Sequence, residues 1–129
     1  MPLVRFDLIE GRHEAQIAVL LESAHMALVS AFAIPERDRY QVVHEHRRSH
    51  IVLQDSGLGI PRTDNAVFIT ITTRPRSEEA KQTLLQELSR RLHDNCGIEP
   101  SDVMVTFVTN TDADWSFGFG RAQFKTHEL

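Results

Sequence analysis

The chain holds a single cysteine, a single tryptophan and a single tyrosine among 129 residues, and its net charge is only −4. One thiol, Cys96, excludes an internal disulfide and any cysteine-based metal cluster. The small net charge excludes a field that would recruit nucleic acid or an anionic membrane surface. Long apolar runs are missing too: Ile17 to Leu21 is the longest, far short of a bilayer span. Arg5 and Asp7 interrupt the amino-terminal stretch before a signal-peptide core could form. These absences leave a cytoplasmic protein with no nucleic-acid or membrane partner as the expectation. With 41% hydrophobic residues, the length suits one domain, 1–129, around one core.

What is present is a duplicated pattern. Hydrophobic alternation predicts strands over Leu3 to Ile9, Tyr40 to His46, Ala66 to Thr73 and Val103 to Thr109. Helical periodicity predicts helices over His13 to Phe32 and Ser77 to Asn95. The two βαβ units, about 2–46 and 66–110, match at an offset of 64 positions, with a linker over 47–65. Arg12 falls on Arg76, Glu14 on Glu78, Leu20 on Leu84, Leu28 on Leu92 and Asp38 on Asp102. Each helix opens after an arginine with a polar or acidic turn, which suits the positive helix N-terminus. Each is followed by a proline-bearing turn. The expected fold is α/β (α+β): a four-stranded sheet with both helices on one face, ending in short C-terminal strands or a hairpin. Val42, Val67, Ile69, Ile71, Val105 and Phe107 look too apolar for the uncovered face to meet water, so an oligomer is expected.

Several residues could carry chemistry. Methionine is normally removed before a residue as small as proline, which would leave Pro2 with a free secondary amine able to act as acid, base or fixed cation. Proline is also tolerated at the start of a strand with no such role. Arg74 and Arg76 flank a proline, and an extended Arg-Pro-Arg segment points both guanidiniums to one side, where they could clamp a carboxylate. A solvated basic turn is the simpler alternative. The repeat sharpens the contrast, because Glu10 replaces Arg74 and Ala66 replaces Pro2 in the partner units. Asp38 could orient a carbonyl or water, or be a turn residue like Asp102. Alternation puts Trp115, Phe117 and Phe119 on one face, either walling a site or packing a subunit contact, with Phe124 and Leu129 possible extensions. His44, Glu45, His46 and His50 lack a third ligand at diagnostic spacing, so no metal site is expected. The glycines of Asp55 to Pro61 carry no Walker lysine and read as a connecting turn.

Taken together, these residues resemble the tautomerase superfamily, and within it the malonate semialdehyde decarboxylases. The likeness covers nearly the whole chain. It rests on Pro2-Leu3, Phe6 to Arg12, Pro35 to Tyr40, Gly57 to Arg62, Thr73 to Glu79 and Asp112 to Gly118. The resemblance implies a homotrimer that needs no metal or organic cofactor and acts on a small oxo acid. It implies Pro2, Asp38, Arg74 and Arg76 as catalytic residues and Trp115, Phe117, Phe124 and Leu129 as a hydrophobic substrate wall. The implied reaction is decarboxylation of malonate semialdehyde to acetaldehyde and CO₂, with hydratase activity alongside. Tautomerisation of a 2-oxo acid such as phenylpyruvate is the alternative, and a non-enzymatic, cytokine-like binding protein is the other.

Overall fold

The computed structural model describes residues 1–129. Four strands, β1 (Leu3–Ile9), β2 (Tyr40–His46), β3 (Val67–Thr73) and β4 (Val103–Thr109), alternate with two helices, α1 (Glu14–Phe32) and α2 (Glu78–Cys96). The helices and the inner strands keep the 64-residue offset from end to end. Ser77 caps α2 by accepting the Ala80 N–H at 3.1 Å, and Gly97 closes it in the left-handed region. Helix α1 opens with the Gln16 side chain accepting the His13 N–H at 2.8 Å. It ends on Ala33, a non-glycine at φ 53°.

The sheet runs β2-β1-β3-β4. Strands β1 and β2 are parallel, as are β3 and β4, while β1 and β3 meet antiparallel through Leu3↔Thr72 and Leu8↔Val67. A pseudo-twofold axis therefore passes between β1 and β3. Both helices cover one face. Phe6, Leu8, Ile69 and Ile71 from the sheet interlock with Leu20, Leu28, Leu84, Leu88 and Leu92 from the helices, all essentially out of water. Burying side chains of this size stabilises the fold by about 1.5–3 kcal/mol each. By length and a mean hydropathy of 1.5, α1 could cross a bilayer, although none of its uninterrupted apolar runs could. Its Leu20, Ala24, Ala27, Leu28 and Phe32 are instead spent on the core.

The register decides where chemistry can gather. The start of β1 lies beside the end of β3, so Pro2 is delivered next to Thr73 and Arg74. The pairing Leu3↔Tyr40 brings the turn before β2, with Asp38, to the same end. The parallel β3–β4 pair continues one step further through the Asn110 N–H to the Thr73 carbonyl at 2.9 Å, which carries the C-terminal tail there as well.

Two expectations are corrected. The residues beyond Thr109 form no strands or hairpin; they make a 3₁₀ turn over Asp112–Asp114 and further irregular turns. Gly118, Phe119 and Gly120 all take positive φ (134°, 59° and 67°), which breaks the extended geometry that alternation assumed. The apolar strand positions also sort differently. Val67, Ile69 and Ile71 lie fully under the helices, and Val105 and Phe107 pack on the same core. Of these six positions only Val42 remains on the open face, exposed among Arg5, His44 and Thr70, and the register places Leu3, Tyr40, Phe68, Met104 and Val108 on that face as well. That face is mixed in polarity, with Arg5 Nη2 3.3 Å from His44 Nε2 and His46 Nε2 2.7 Å from Asp7 Oδ1.

Candidate active site

Pro2 is buried at the head of β1, and in the described chain Met1 precedes it. The terminal amine is therefore that of Met1, half-buried at this end of the sheet. Its pKa is pushed below the ordinary α-amino value of 8.0, first by burial, then by Arg76 and Arg74, with Asp38 pulling the other way. All three charged groups singled out from the sequence thus act on the chain terminus. One residue of chain spans at most about 3.6 Å, so a Pro2 amine freed by loss of Met1 would sit in the same field, nearer the core.

The two guanidiniums are neighbours but not equivalents. Burial lowers the pKa of Arg76, and the adjacent charge of Arg74 lowers it further. Arg76 lies over the Phe32 ring at 4.7 Å, and its donors reach only neutral acceptors, Thr73 Oγ1 at 3.3 Å and the Phe32 carbonyl at 3.4 Å. No carboxylate lies within ion-pair distance of it, which leaves its charge available to an anion. Arg74, in contrast, donates from Nη1 to Asp112 Oδ1 at 2.9 Å and lies 3.7 Å above the Phe124 ring. Its Nε is buried without a partner.

Asp38 is half-buried in the turn that its N–H closes onto the Pro35 carbonyl at 3.0 Å. Its repeat partner has a different job. Asp102 is fully buried and holds the Thr63 N–H at 2.7 Å and the Thr63 hydroxyl. The duplication has left one aspartate facing the amine and turned the other into an internal tie.

Three of the four expected wall residues come together. Trp115 stacks on Phe117 at 5.5 Å, and Phe117 meets Phe124 edge-on at 5.4 Å, which connects the wall to Arg74. Leu129 stays 58% exposed and does not join them, and Phe119 is 92% exposed because its positive φ turns it away. Residues that sequence reasoning passed over complete the arrangement. Tyr40 packs on Phe117 at 5.7 Å. The buried Gln123 accepts the Phe117 N–H and donates to the Gly118 carbonyl, both at 2.9 Å. Trp115 Nε1 donates to Asn110 Oδ1 at 2.7 Å. A hollow of about 370 Å³ lies alongside, lined by Pro75, Thr111, Asp112, Ala113 and Lys125.

The opposite end of the sheet holds the repeat-related counterpart, a cavity of about 380 Å³ that includes Arg12, Asn65, Cys96 and Ile98. There Ala66 stands where Pro2 stands, and its N–H is bonded to the Thr63 carbonyl at 3.1 Å. Arg12 donates to the Asn65 carbonyl at 2.7 Å, and burial raises the Cys96 thiol above its usual pKa. With no amine and one guanidinium, that end lacks the charge pattern of the first.

Two family models described as tautomerase enzyme match the chain, one over residues 2–60 and one over 38–118. The chain belongs to the tautomerase family. A probable tautomerase, YrdN, from Bacillus subtilis (strain 168) is 50% identical over 129 residues, covering 100% of both chains. A malonate semialdehyde decarboxylase solved in wild-type, mutant and inactivated forms superposes with a TM-score of 0.96 at 51% identity, covering 98% of each chain. The FG41 malonate semialdehyde decarboxylase inhibited by 3-bromopropiolate gives 0.94 at 39%, covering 98% of this chain and 97% of that one. A fused 4-OT symmetric trimer shares the tautomerase fold at a TM-score of 0.75 and 17% identity, covering 92% of this chain and 94% of that one.

Proposed function

We propose that loss of Met1 frees the Pro2 amine and that this tautomerase-family chain, as a homotrimer, decarboxylates malonate semialdehyde to acetaldehyde and CO₂. The observation that carries the proposal is the convergence of the chain terminus, Arg74, Arg76 and Asp38 at one end of the sheet, beside Phe117 and Phe124. The 51% identity to a malonate semialdehyde decarboxylase supports the choice of substrate.

In this reading Arg76, which has no anionic partner, binds the substrate carboxylate and turns the bond to be broken perpendicular to the aldehyde plane. The protonated Pro2 amine lies at the aldehyde oxygen. As the carbon–carbon bond breaks, CO₂ leaves and the electron pair passes into an enolate, whose oxygen the ammonium stabilises. A proton then returns to carbon, from the amine or from water, and acetaldehyde forms. Arg76 also stabilises the bound carboxylate, so the gain must come where charge grows, at the enolate oxygen. Asp38 hydrogen-bonds the aldehyde or its hydrate and favours the charged amine. The aromatic wall excludes water, which strengthens each of these interactions. The same charged amine, with a water on Asp38, would support hydration of an unsaturated acid.

A second reading has its own support. Burial and both arginines lower the amine pKa at this site. A neutral amine is a base, which suits tautomerisation of a 2-oxo acid such as phenylpyruvate, or a nucleophile that could form an iminium with the aldehyde. The discriminating experiment measures acetaldehyde released from malonate semialdehyde against phenylenolpyruvate ketonisation, for wild type, Pro2→Ala and Arg76→Ala. Acetaldehyde production lost in both variants supports the decarboxylase. Wild-type release no faster than that of Pro2→Ala ends it, and ketonisation alone would establish the tautomerase. A binding protein that needs no catalysis would keep its biological activity in Pro2→Ala.

A further inference from the structure

Arg74 and Arg76 lie two residues apart and crowd each other, yet only one of them is held by a carboxylate. That carboxylate belongs to Asp112, a residue delivered by the last step of the β3–β4 ladder, where the Asn110 N–H reaches the Thr73 carbonyl. The turn that presents it is fixed independently. Asp114 accepts the Thr111 N–H at 2.8 Å and the Thr111 hydroxyl at 2.9 Å, and these bonds hold the Asp114 carboxyl below its usual pKa. Asp114 is therefore spent on the turn, while Asp112 is half-buried and directed at Arg74.

Resting on the functional reading above, we propose that Asp112 is a positioning residue: it holds Arg74 over the Phe124 ring and shields its charge, so that Arg76 is the guanidinium left to take the substrate carboxylate. Two unshielded guanidiniums would grip the full carboxylate charge of the ground state more firmly than the transition state, where that charge is leaving the carboxyl group as CO₂ forms, and so would slow its loss. A shielded Arg74 instead serves as a rigid wall of the site, joined to Phe124 on its face and to Asp112 at its tip. Its Nε is buried without a partner, so the hydrogen bond to Asp112 and the stack on Phe124 are the contacts that hold this pose.

The arrangement also sets the field at the amine. That group faces Arg74 and Arg76 from the β3–α2 turn and Asp38 from the α1–β2 turn. Asp112 acts on it through Arg74. Removing the Asp112 charge uncovers a cation near the amine and makes protonation harder.

The test uses Asp112→Asn and Asp112→Glu in the full chain, with two readouts. The first is the terminal amine itself, titrated by ¹⁵N NMR in protein labelled at proline, or at methionine where Met1 is retained. The second is the pH dependence of kcat and KM for ketonisation and acetaldehyde release. The expected result for Asp112→Asn is an amine titration moved down by about half a pH unit, as one added net charge in a partly screened site implies. It should come with a roughly tenfold lower kcat and an unchanged or lower KM. Asp112→Glu should restore both to within about threefold. An amine titration that overlays wild type overturns the proposal, as does loss of activity accompanied by a lower unfolding temperature that glutamate fails to rescue. Pro2→Ala, run alongside, separates the two claims, because full turnover in that variant refutes the functional reading, whereas the amine titration needs no turnover.

Discussion

Replacing Arg76 by alanine should damage binding of the reacting anion far more than it damages the fold. Within the protein the side chain makes two long hydrogen bonds to neutral oxygens, at 3.3 and 3.4 Å, and stacks on Phe32. Burial and Arg74 both make its charge harder to keep, so its removal relieves some cost as it forfeits these contacts. The expected loss of stability is therefore about 1 kcal/mol or less. A substrate carboxylate, in contrast, would receive two charge-assisted bonds from this fork, worth about 1.5–3 kcal/mol each, and both would vanish. Together they imply a fall in kcat/KM of about 10²–10⁴. Arg76 also lowers the amine pKa, more than Arg74 does. Its removal must raise that pKa, so any activity needing the neutral amine will start at higher pH, with a larger shift than for Arg74→Ala. Steady-state kinetics across pH, paired with thermal unfolding, provide the assay. A kcat/KM within threefold of wild type, or an acid limb that moves to lower pH, would refute the assignment of Arg76 as the carboxylate anchor.

Four further outcomes follow from the same geometry. Asp38→Asn should lower the amine pKa, because the only charge that raises it is removed, and should cost activity with little change in unfolding temperature. Asp102→Asn should do the reverse, destabilising by about 1–3 kcal/mol as the buried ties to Thr63 are broken while the amine titration stays put. Gln123→Ala leaves the Phe117 N–H and Gly118 carbonyl without partners and should raise KM more than it lowers kcat, read from initial rates as the aromatic wall loosens. For activity through the neutral amine, the burial and paired arginines that lower the Met1 amine pKa, carried to Pro2, predict an acid limb lower in pH than that of the same amine in water, with the rate rising as pH rises through it.

The repeat is what made the fold legible. Leu20 and Leu84, or Leu28 and Leu92, recur at one spacing because each unit buries the same helical stripe on the same strands, and the structure keeps that spacing in both helices. Arg74, Arg76 and Asp38 could be singled out because the repeat breaks or repeats at those positions, which makes each a question about one unit against the other. Asp112 carried no such mark: its role depends on a hydrogen bond one step beyond β4, and register of that precision is not written in local pattern. Phe119 misled because period-two alternation presumes extended backbone, and glycines on both sides of it supply another geometry. The open sheet face misled for a related reason. Alternation tells which residues share a face, but not which face the helices cover, so Val67, Ile69 and Ile71 could be placed only by the crossover connections.

The central claim is tested most directly by measuring acetaldehyde release from malonate semialdehyde with two preparations of the same chain, their N-termini defined by intact mass. One lacks Met1 and begins at Pro2; the other retains it. The account predicts turnover in the first alone, because an amide nitrogen at Pro2 can be neither protonated nor nucleophilic. Equal turnover in both would contradict it.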